Sequence, residues 1–530
     1  MFHHYQSGGE FRPLKPALVL PLIAVLSALG MLPAGVARSG EAPRYAVIIV
    51  LDGARASYLH RVPMPNLEAL QRRGITYTSA FTGQELANTP PSHATIGTGL
   101  FPKHHGVEGF LWEDPRTHRV DDPTQSWNVI AGRLEAVIAG HRVPTLAGQL
   151  KKTYPHATLA SVAAHKCYAS DAMGGPRADY ILCALIYKNR WVAQAIANHR
   201  PPPGAINNSR WDVPIPSPSS GFGAAVQQWP MGRENGWTTK YALWAFNRVH
   251  YPRVLMVNLS ETDVLGHFAP NASIISGLMR QIDYLIGTIV ESYRRAGILD
   301  QTDFVITADH GMSKITAHVP YHVLWNAIGE AGARPVYMEH DTAAAIGIEP
   351  DSKAHAVATA ILRNGGTGVD ATFYKVHMNG TWSYQLAASQ PDLPGSYLAA
   401  CRILADTMAS DEGPDVFVVF APHVSTRQFK AHGYPWVAGH LGPQWGDQHI
   451  PLIIAGPGVK QGVISSYPAR LVDIAPTVER LLGVPTGRVD GVVLADALTH
   501  PSAARVAAQE KRGNELRPIQ LALKARAATH

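Results

Sequence analysis

Six residues of metal-binding type stand beside short apolar runs that read as strands. Asp52 directly follows Tyr45 to Leu51 (YAVIIVL), Asp263 and His267 follow Arg253 to Leu259 (RVLMVNL), Asp309 and His310 follow Phe304 to Thr307 (FVIT), and His440 precedes Ile450 to Ala455 (IPLIIA). In an open α/β sheet, ligands collect in the crevice beyond the carboxyl ends of the strands, so such residues converge there. Zinc takes nitrogen and oxygen ligands, about four to an ion; three aspartates and three histidines exceed one ion and suit two. Two ions roughly 3.5–4 Å apart can hold the attacking and leaving oxygens of an in-line displacement at phosphorus, which makes phosphoryl transfer the natural chemistry. Singly, each residue has an ordinary use: Asp52 in Leu-Asp-Gly can cap a turn, Asp263 a helix, and His267 or His310 can be a satisfied core histidine. Their joint placement after strands favours the metal reading.

A second element is Asn88-Thr89-Pro90-Pro91-Ser92-His93. Proline is favoured in the first helical turn and threonine just before it, which places Thr89 at an N-cap facing an anion site made of free N–H groups and the helix dipole. A hydroxyl becomes nucleophilic when a bound metal lowers its pKa so that its proton is lost to water, with no histidine base needed. Ser92 is the competing hydroxyl and falls within the first turn.

The elements that must position these groups alternate apolar runs with amphipathic stretches, the pattern of a parallel sheet covered by helices. The strand candidates are continuously apolar, as strands buried on both faces are. Helices are expected over Asn66 to Arg73 and Ile274 to Arg295, stopped by Gly74 and Gly297, and residues 201–223, rich in Pro, Ser and Gly, read as a surface excursion. The expected organisation is a leader at 1–37, a core at 38–312, a cap or insertion at 313–430, the rest of the core at 431–500, and a basic tail at 501–530. The leader combines Arg12 and Lys15, the apolar run Ala17 to Leu32 and the small residues Ala34, Gly35 and Ala37, which reads as a signal peptide or, if uncleaved, an N-terminal membrane anchor. Either way the body is expected to be exported, to the periplasm or beyond.

The 530 residues carry 46 Lys plus Arg against 40 Asp plus Glu, a surplus of +6, and no dense basic run interleaved with aromatics, so a nucleic-acid scaffold is disfavoured while a small anionic substrate fits. Three cysteines, Cys167, Cys183 and Cys401, are too few for a disulfide framework; Cys167 and Cys183 can pair in an oxidising compartment, which spacing alone leaves open.

The segments VIIVLDGAR around Asp52, NTPPSHATIGTGLFPKHHGV around Thr89, NLSETDVLGH around Asp263 and His267, VITADHGM around Asp309 and His310, and GHLGPQWGDQHIPLIIAGPGV around His440 resemble, in this order, the type I phosphodiesterase/nucleotide pyrophosphatase family of the alkaline phosphatase superfamily. The resemblance implies a three-layer α/β/α sandwich with a mostly parallel sheet and an inserted cap. It implies two zinc ions, one held by Asp52, Asp309 and His310 beside Thr89, the other by Asp263, His267 and His440, with other divalent ions as substitutes. Thr89 would attack phosphorus to give a phospho-threonine that water then releases. His449 is set aside in favour of His440, and His104 and His105 are left as structural. Sulfatase chemistry is disfavoured because the Thr-Pro-Pro-Ser segment lacks the convertible Cys or Ser and the Arg of C/S-x-P-x-R.

Two departures bear on the substrate. Phe110 occupies the place where the family's phosphodiesterases, and some bacterial monoesterases, carry an Asn, removing a donor to the phosphoryl oxygen, a loss that can cost about 2.7–4 kcal/mol. Lys166 matches the lysine with which a bacterial monoesterase subgroup holds phosphate, but Tyr168 stands where the accompanying arginine would be. A half-complete cationic set leans toward diesters, with a phosphomonoesterase using Lys166 as the runner-up. A phosphotransferase and a non-catalytic binding protein are readings of other classes; retention of all six ligands and Thr89 argues against the last.

Overall fold

Val47, Ile48, Ile49 and Val50 are β-branched and fully buried, so their strand must be covered on both faces. In the computed structural model, which describes residues 45–529 apart from 165, 188–189, 197–198, 200–212, 215–232, 269–272, 429 and 432–433, that strand lies inside a ten-stranded sheet. The leader and most of the 201–223 segment lie outside the described residues. The sheet strands are β1 (Tyr45–Leu51), β2 (Gly74–Tyr77), β3 (Leu159–Ala163), β4 (Tyr180–Tyr187), β5 (Arg190–Ala195), β6 (Val213–Pro214), β7 (Val254–Leu259), β8 (Thr302–Thr307), β14 (Leu452–Ala455) and β15 (Val463–Ser465), β9 to β13 forming a second sheet. Their order is β15-β2-β14-β8-β1-β7-β3-β4-β5-β6. From β8 to β4 every neighbour is parallel; β14 runs antiparallel to β8, Thr307 facing Leu452.

Helices α1 (Pro65–Arg72), α4 (Arg233–Arg248) and α5 (Ser273–Arg295) pack together as one flanking group, and α2 (Thr89–Thr98) packs against α3 (Cys167–Gly174) in another. This is the expected α/β class, a mostly parallel central sheet with flanking helices. In α5 the buried residues Ile275, Leu278, Met279, Ile282, Ile286 and Ile289 recur every three or four positions, which turns one stripe toward the sheet. A disulfide joins Cys167, at the start of α3, to Cys183 in β4, with Cα atoms 5.2 Å apart.

The second sheet has five antiparallel strands: β9 (Arg334–His340), β10 (Ala343–Glu349), β11 (Val369–Met378), β12 (Thr381–Ser389) and β13 (Val416–Phe420), in the order β9-β10-β13-β11-β12. Its two-residue period explains how it is covered. Val416, Val418 and Phe420 face α6 (Tyr321–Glu330) and α7 (Ala354–Gly365), while Phe417 and Val419 face α8 (Gly395–Ala405). The expected tail is a helix, α9 (Ala503–Ala528), whose Leu516, Ile519 and Leu523 join the α8 side and whose Arg526 grips Asp370 through two bonds of 2.7 and 2.8 Å.

Glu85 is a buried exception. It is 1% exposed, and neither carboxylate oxygen has a hydrogen-bond partner among the described residues. Burial pushes its carboxyl up to about 8. A folded-state value above the unfolded one means the unfolded chain releases its proton first as pH rises. Glu85 therefore favours the fold below about pH 4.5, and that contribution is lost on the way to pH 8, at up to about 1.4 kcal/mol per pH unit. Denaturant titrations between pH 5 and 8 are expected to show a shallower decline for Glu85→Gln than for the parent chain; parallel curves would show that Glu85 does not titrate there.

Candidate active site

The short turn after each central strand delivers one part of the site. Asp52 follows β1 directly, Asp309 and His310 follow β8, Lys166 follows β3, and Asp263 and His267 belong to a short helix, Glu261–Gly266, and its end after β7. His440 arrives by a different rule. Because β14 is antiparallel, its amino end lies at the carboxyl end of its parallel neighbours, so a residue preceding it joins the same crevice. Gly53 makes the approach possible: its φ is +67°, and a Cβ there would stand 2.7 Å from Cα and Cβ of Asp263. Its N–H donates to Asp309 Oδ1 at 3.0 Å, fixing one carboxylate against the turn that carries another.

The six expected ligands are gathered in this crevice. Oxygens and nitrogens of Asp52, Asp309 and His310 lie within 4.8 Å of one another, and so do those of Asp263, His310 and His440. His267 Nε2 is 3.2 Å from Asp263 Oδ1, and His440 Nε2 is 3.3 Å from the same oxygen. His310 thus stands between the two groups, its ring stacked on that of His440 with centroids 3.6 Å apart. Backbone carbonyls orient each imidazole through Nδ1: Gly311 for His310, Ala438 for His267 and Ala87 for His440, at 2.8–2.9 Å, leaving Nε2 toward the crevice. Asn258 donates to Asp52 Oδ2 at 2.9 Å.

Three carboxylates this close repel, and Lys166 is what stands among them. It is 4% exposed, and its Nζ donates to Asp52 Oδ1 and Asp263 Oδ2, both at 2.7 Å, and lies 3.4 Å from Thr89 Oγ1. Lys166 is therefore a buried residue of the site and not a solvated surface lysine. Burial opposes its charge, but Asp263 and Asp52 outweigh burial and hold the ammonium well above its ordinary range. Burial likewise opposes ionisation of Asp263, where Lys166 and His267 prevail and the carboxyl falls well below the usual range. Asp52 is raised, by burial and by Asp309.

Thr89 departs from its expected local role. Asn88 is the N-cap, its side-chain oxygen accepting the Thr89 N–H at 2.9 Å, and Thr89 is the first residue of α2. The expected anion site of free amides is absent for the same reason. Thr89 N–H is used by Asn88, Pro90 and Pro91 have none, and Ser92 N–H bonds to Asn88 O. Thr89 Oγ1 nonetheless faces the crevice, 3.4 Å from His310 Nε2 as well as from Lys166. Ser92 is fully buried and accepts from Gln84 Nε2 instead.

Phe110 and Tyr168, the two departures, meet edge to face with centroids 5.3 Å apart and line a cleft of about 170 Å³ with Thr89, Lys166 and Asp263. Five further residues of that cleft escaped the sequence reading: Glu339, His340, Asp341, Arg427 and Trp436. All but Trp436 come from the region read only as an insertion, 313–430, and Trp436 lies just beyond it; no motif marks any of them. Trp436 stacks on His267 at 3.5 Å, and the Arg427 guanidinium lies 5.4 Å from the Trp436 ring centre. His449, His104 and His105 lie apart from the ligand groups: His449 faces Thr78 O, His104 pairs with Asp490, and His105 is buried beside Thr95.

Known proteins share this architecture. The solved alkaline phosphatase PafA superposes with a TM-score of 0.67 at 16% identity, covering 87% of this chain and all of that one. Murine ectonucleotide pyrophosphatase/phosphodiesterase 5, an inactive variant in complex with AMP, gives 0.56 at 14%, covering 86% of this chain and all of that one. In sequence, the bis(5'-adenosyl)-triphosphatase enpp4 of Xenopus laevis is 22% identical over 281 residues, 51% of this chain and 47% of that protein. The alkaline phosphatase PhoK of a Sphingomonas species is 25% identical over 290 residues, 46% and 50% of the two chains. The chain spans about half the length of the curated relatives it matches. The family model for type I phosphodiesterase/nucleotide pyrophosphatase matches residues 46–434, a stretch that begins with β1 and takes in Thr89, Lys166, Asp263, His267, Asp309 and His310, so the chain belongs to that family.

Proposed function

We propose that this chain is an exported, metal-dependent phosphoric diester hydrolase in which Thr89 attacks phosphorus. The observation that carries the reading is the placement of the Thr89 hydroxyl against Lys166 Nζ and His310 Nε2 at the edge of two groups of buried metal-ligand types. The donor set fits divalent ions. Asp52, Asp263 and Asp309 gather three buried carboxyl groups around a single ammonium, Lys166, and Asp309 Oδ2 is buried without a hydrogen-bond partner among the described residues. Asp52, Asp309 and His310 would hold one ion, and Asp263, His267 and His440 the other. Such ions supply positive charge at the attacking and leaving oxygens. Asn88 fixes the start of α2, which holds the Thr89 hydroxyl in place, and Lys166 offers its ammonium to a non-bridging oxygen once its carboxylates are otherwise neutralised.

The diester preference rests on Tyr168. Where a second cation would hold a monoester, the cleft has a ring packed on Phe110, which lowers its capacity for the extra charge of a monoester. Export is supported by the Cys167–Cys183 bond and by the N-terminal sequence; no helix among the described residues is long and apolar enough to cross a membrane. Parallel assays on a nitrophenyl monoester, a nitrophenyl diester and a dinucleotide test the proposal. Faster turnover of the diesters is expected, and a monoester preference of several hundred-fold would overturn it in favour of a phosphomonoesterase.

A further inference from the structure

Glu339 is the penultimate residue of β9, yet its side chain lies in the active-site cleft and is 7% exposed. All its bonding partners are donors from the catalytic side. One oxygen, Oε1, accepts from Asn88 Nδ2; the other, Oε2, accepts from Phe110 N–H at 2.9 Å and more distantly from Leu111 N–H at 3.4 Å. Asn88 in turn directs its own oxygen to the Thr89 N–H at 2.9 Å. A carboxylate that receives donors on both oxygens is anchored by them. The neighbouring residue agrees with this role: a Cβ on Gly109 would collide with Glu339 Oε2, so a side chain there would displace the carboxylate from its present contacts.

We propose that Glu339 is a positioning residue, by which the cap sets both the Asn88–Thr89 start of the nucleophile's helix and the Phe110 wall opposite it. The inference rests on the reading of Thr89 as nucleophile. Glu339 touches neither Thr89 Oγ1 nor any of the six ligand side chains through a hydrogen bond among the described residues, so its effect reaches the reaction through Asn88 and the 110–111 backbone. Releasing these groups lets the hydroxyl wander from its line of attack, and misplacement by about 1 Å can cost about 10²-fold in rate.

The test is a double-mutant cycle on the metal-loaded full chain, with Glu339→Ala, Asn88→Ala and the double variant assayed on a nitrophenyl diester, alongside Glu339→Gln. Expected are a fall in kcat of about 10²-fold in each single variant, KM within about threefold of the parent, metal content unchanged, and a double variant no more than about threefold worse than Glu339→Ala. Glu339→Gln keeps the shape and can accept on one oxygen only, so a fall of about tenfold is expected even if the alanine variant does not fold. Undiminished kcat in folded Glu339→Gln or Glu339→Ala, multiplying losses in the cycle, or a loss confined to KM would each reject the inference while leaving Thr89 in place. A parent chain that turns over none of the phosphate esters removes the proposed activity and this inference together.

Discussion

Thr89→Ala is expected to lower kcat on phosphate diesters by about 10⁴-fold or more while the protein still binds two metal ions. The magnitude follows from what the substitution removes. The hydroxyl is the group that would form the covalent bond to phosphorus, and it lies 3.4 Å from both Lys166 Nζ and His310 Nε2. The ligand groups themselves do not include Thr89. Their imidazoles are oriented by the carbonyls of Gly311, Ala438 and Ala87, none of which depends on the threonine side chain. Helix α2 also survives, since Asn88 rather than Thr89 caps it. Ser92→Ala serves as the comparison: its hydroxyl is satisfied by Gln84 away from the crevice, and a small effect is expected. Steady-state kinetics and elemental analysis on the same preparations check both points. Turnover retained by Thr89→Ala, or lost by Ser92→Ala alone, would move the nucleophile elsewhere.

Much of this arrangement was legible because a strand buried on both faces is written as an unbroken apolar run. Tyr45 to Leu51 and Arg253 to Leu259 match β1 and β7 to within one residue, and a polar residue just beyond such a run has little choice but to stand at the sheet's carboxyl edge. His440 was legible for a less direct reason, through the antiparallel course of β14. What stayed hidden depends on contacts between segments distant in sequence. Nothing local distinguishes Lys166 from a surface lysine until β1, β3 and β7 are paired and two aspartates close on it. The exchange of N-cap duty from Thr89 to Asn88 is decided by one hydrogen bond between adjacent residues, below what residue preferences resolve. Glu339 lies 251 positions from Asn88, and the five-stranded sheet that brings it there looks in sequence like an interruption of the α/β rhythm.

Lys166→Met is expected to make the stability of the fold strongly metal-dependent. In the metal-free chain the ammonium is the one lysine or arginine cation bonded to Asp52 and Asp263 among the described residues, both carboxylates are buried, and both ion pairs measure 2.7 Å. Removing one member of a buried pair leaves charge without compensation and costs roughly 3–5 kcal/mol; methionine restores volume but no charge. Ions bound by the same carboxylates offset that loss, and because they bind the folded chain preferentially they raise its stability by mass action. Calorimetry is therefore expected to show a large fall in Tm for Lys166→Met in chelator, with most of it regained on adding zinc, against a smaller zinc response in the parent. Turnover of the zinc-loaded variant should still fall by about 10²-fold, because a cation beside the transferring phosphoryl group is gone. The two readouts separate two roles for one residue. If Tm falls equally with and without zinc, Lys166 is not standing in for charge that metals supply. If Tm behaves as expected but kcat is unchanged, the ammonium neutralises the empty cluster and takes no part in holding the phosphate.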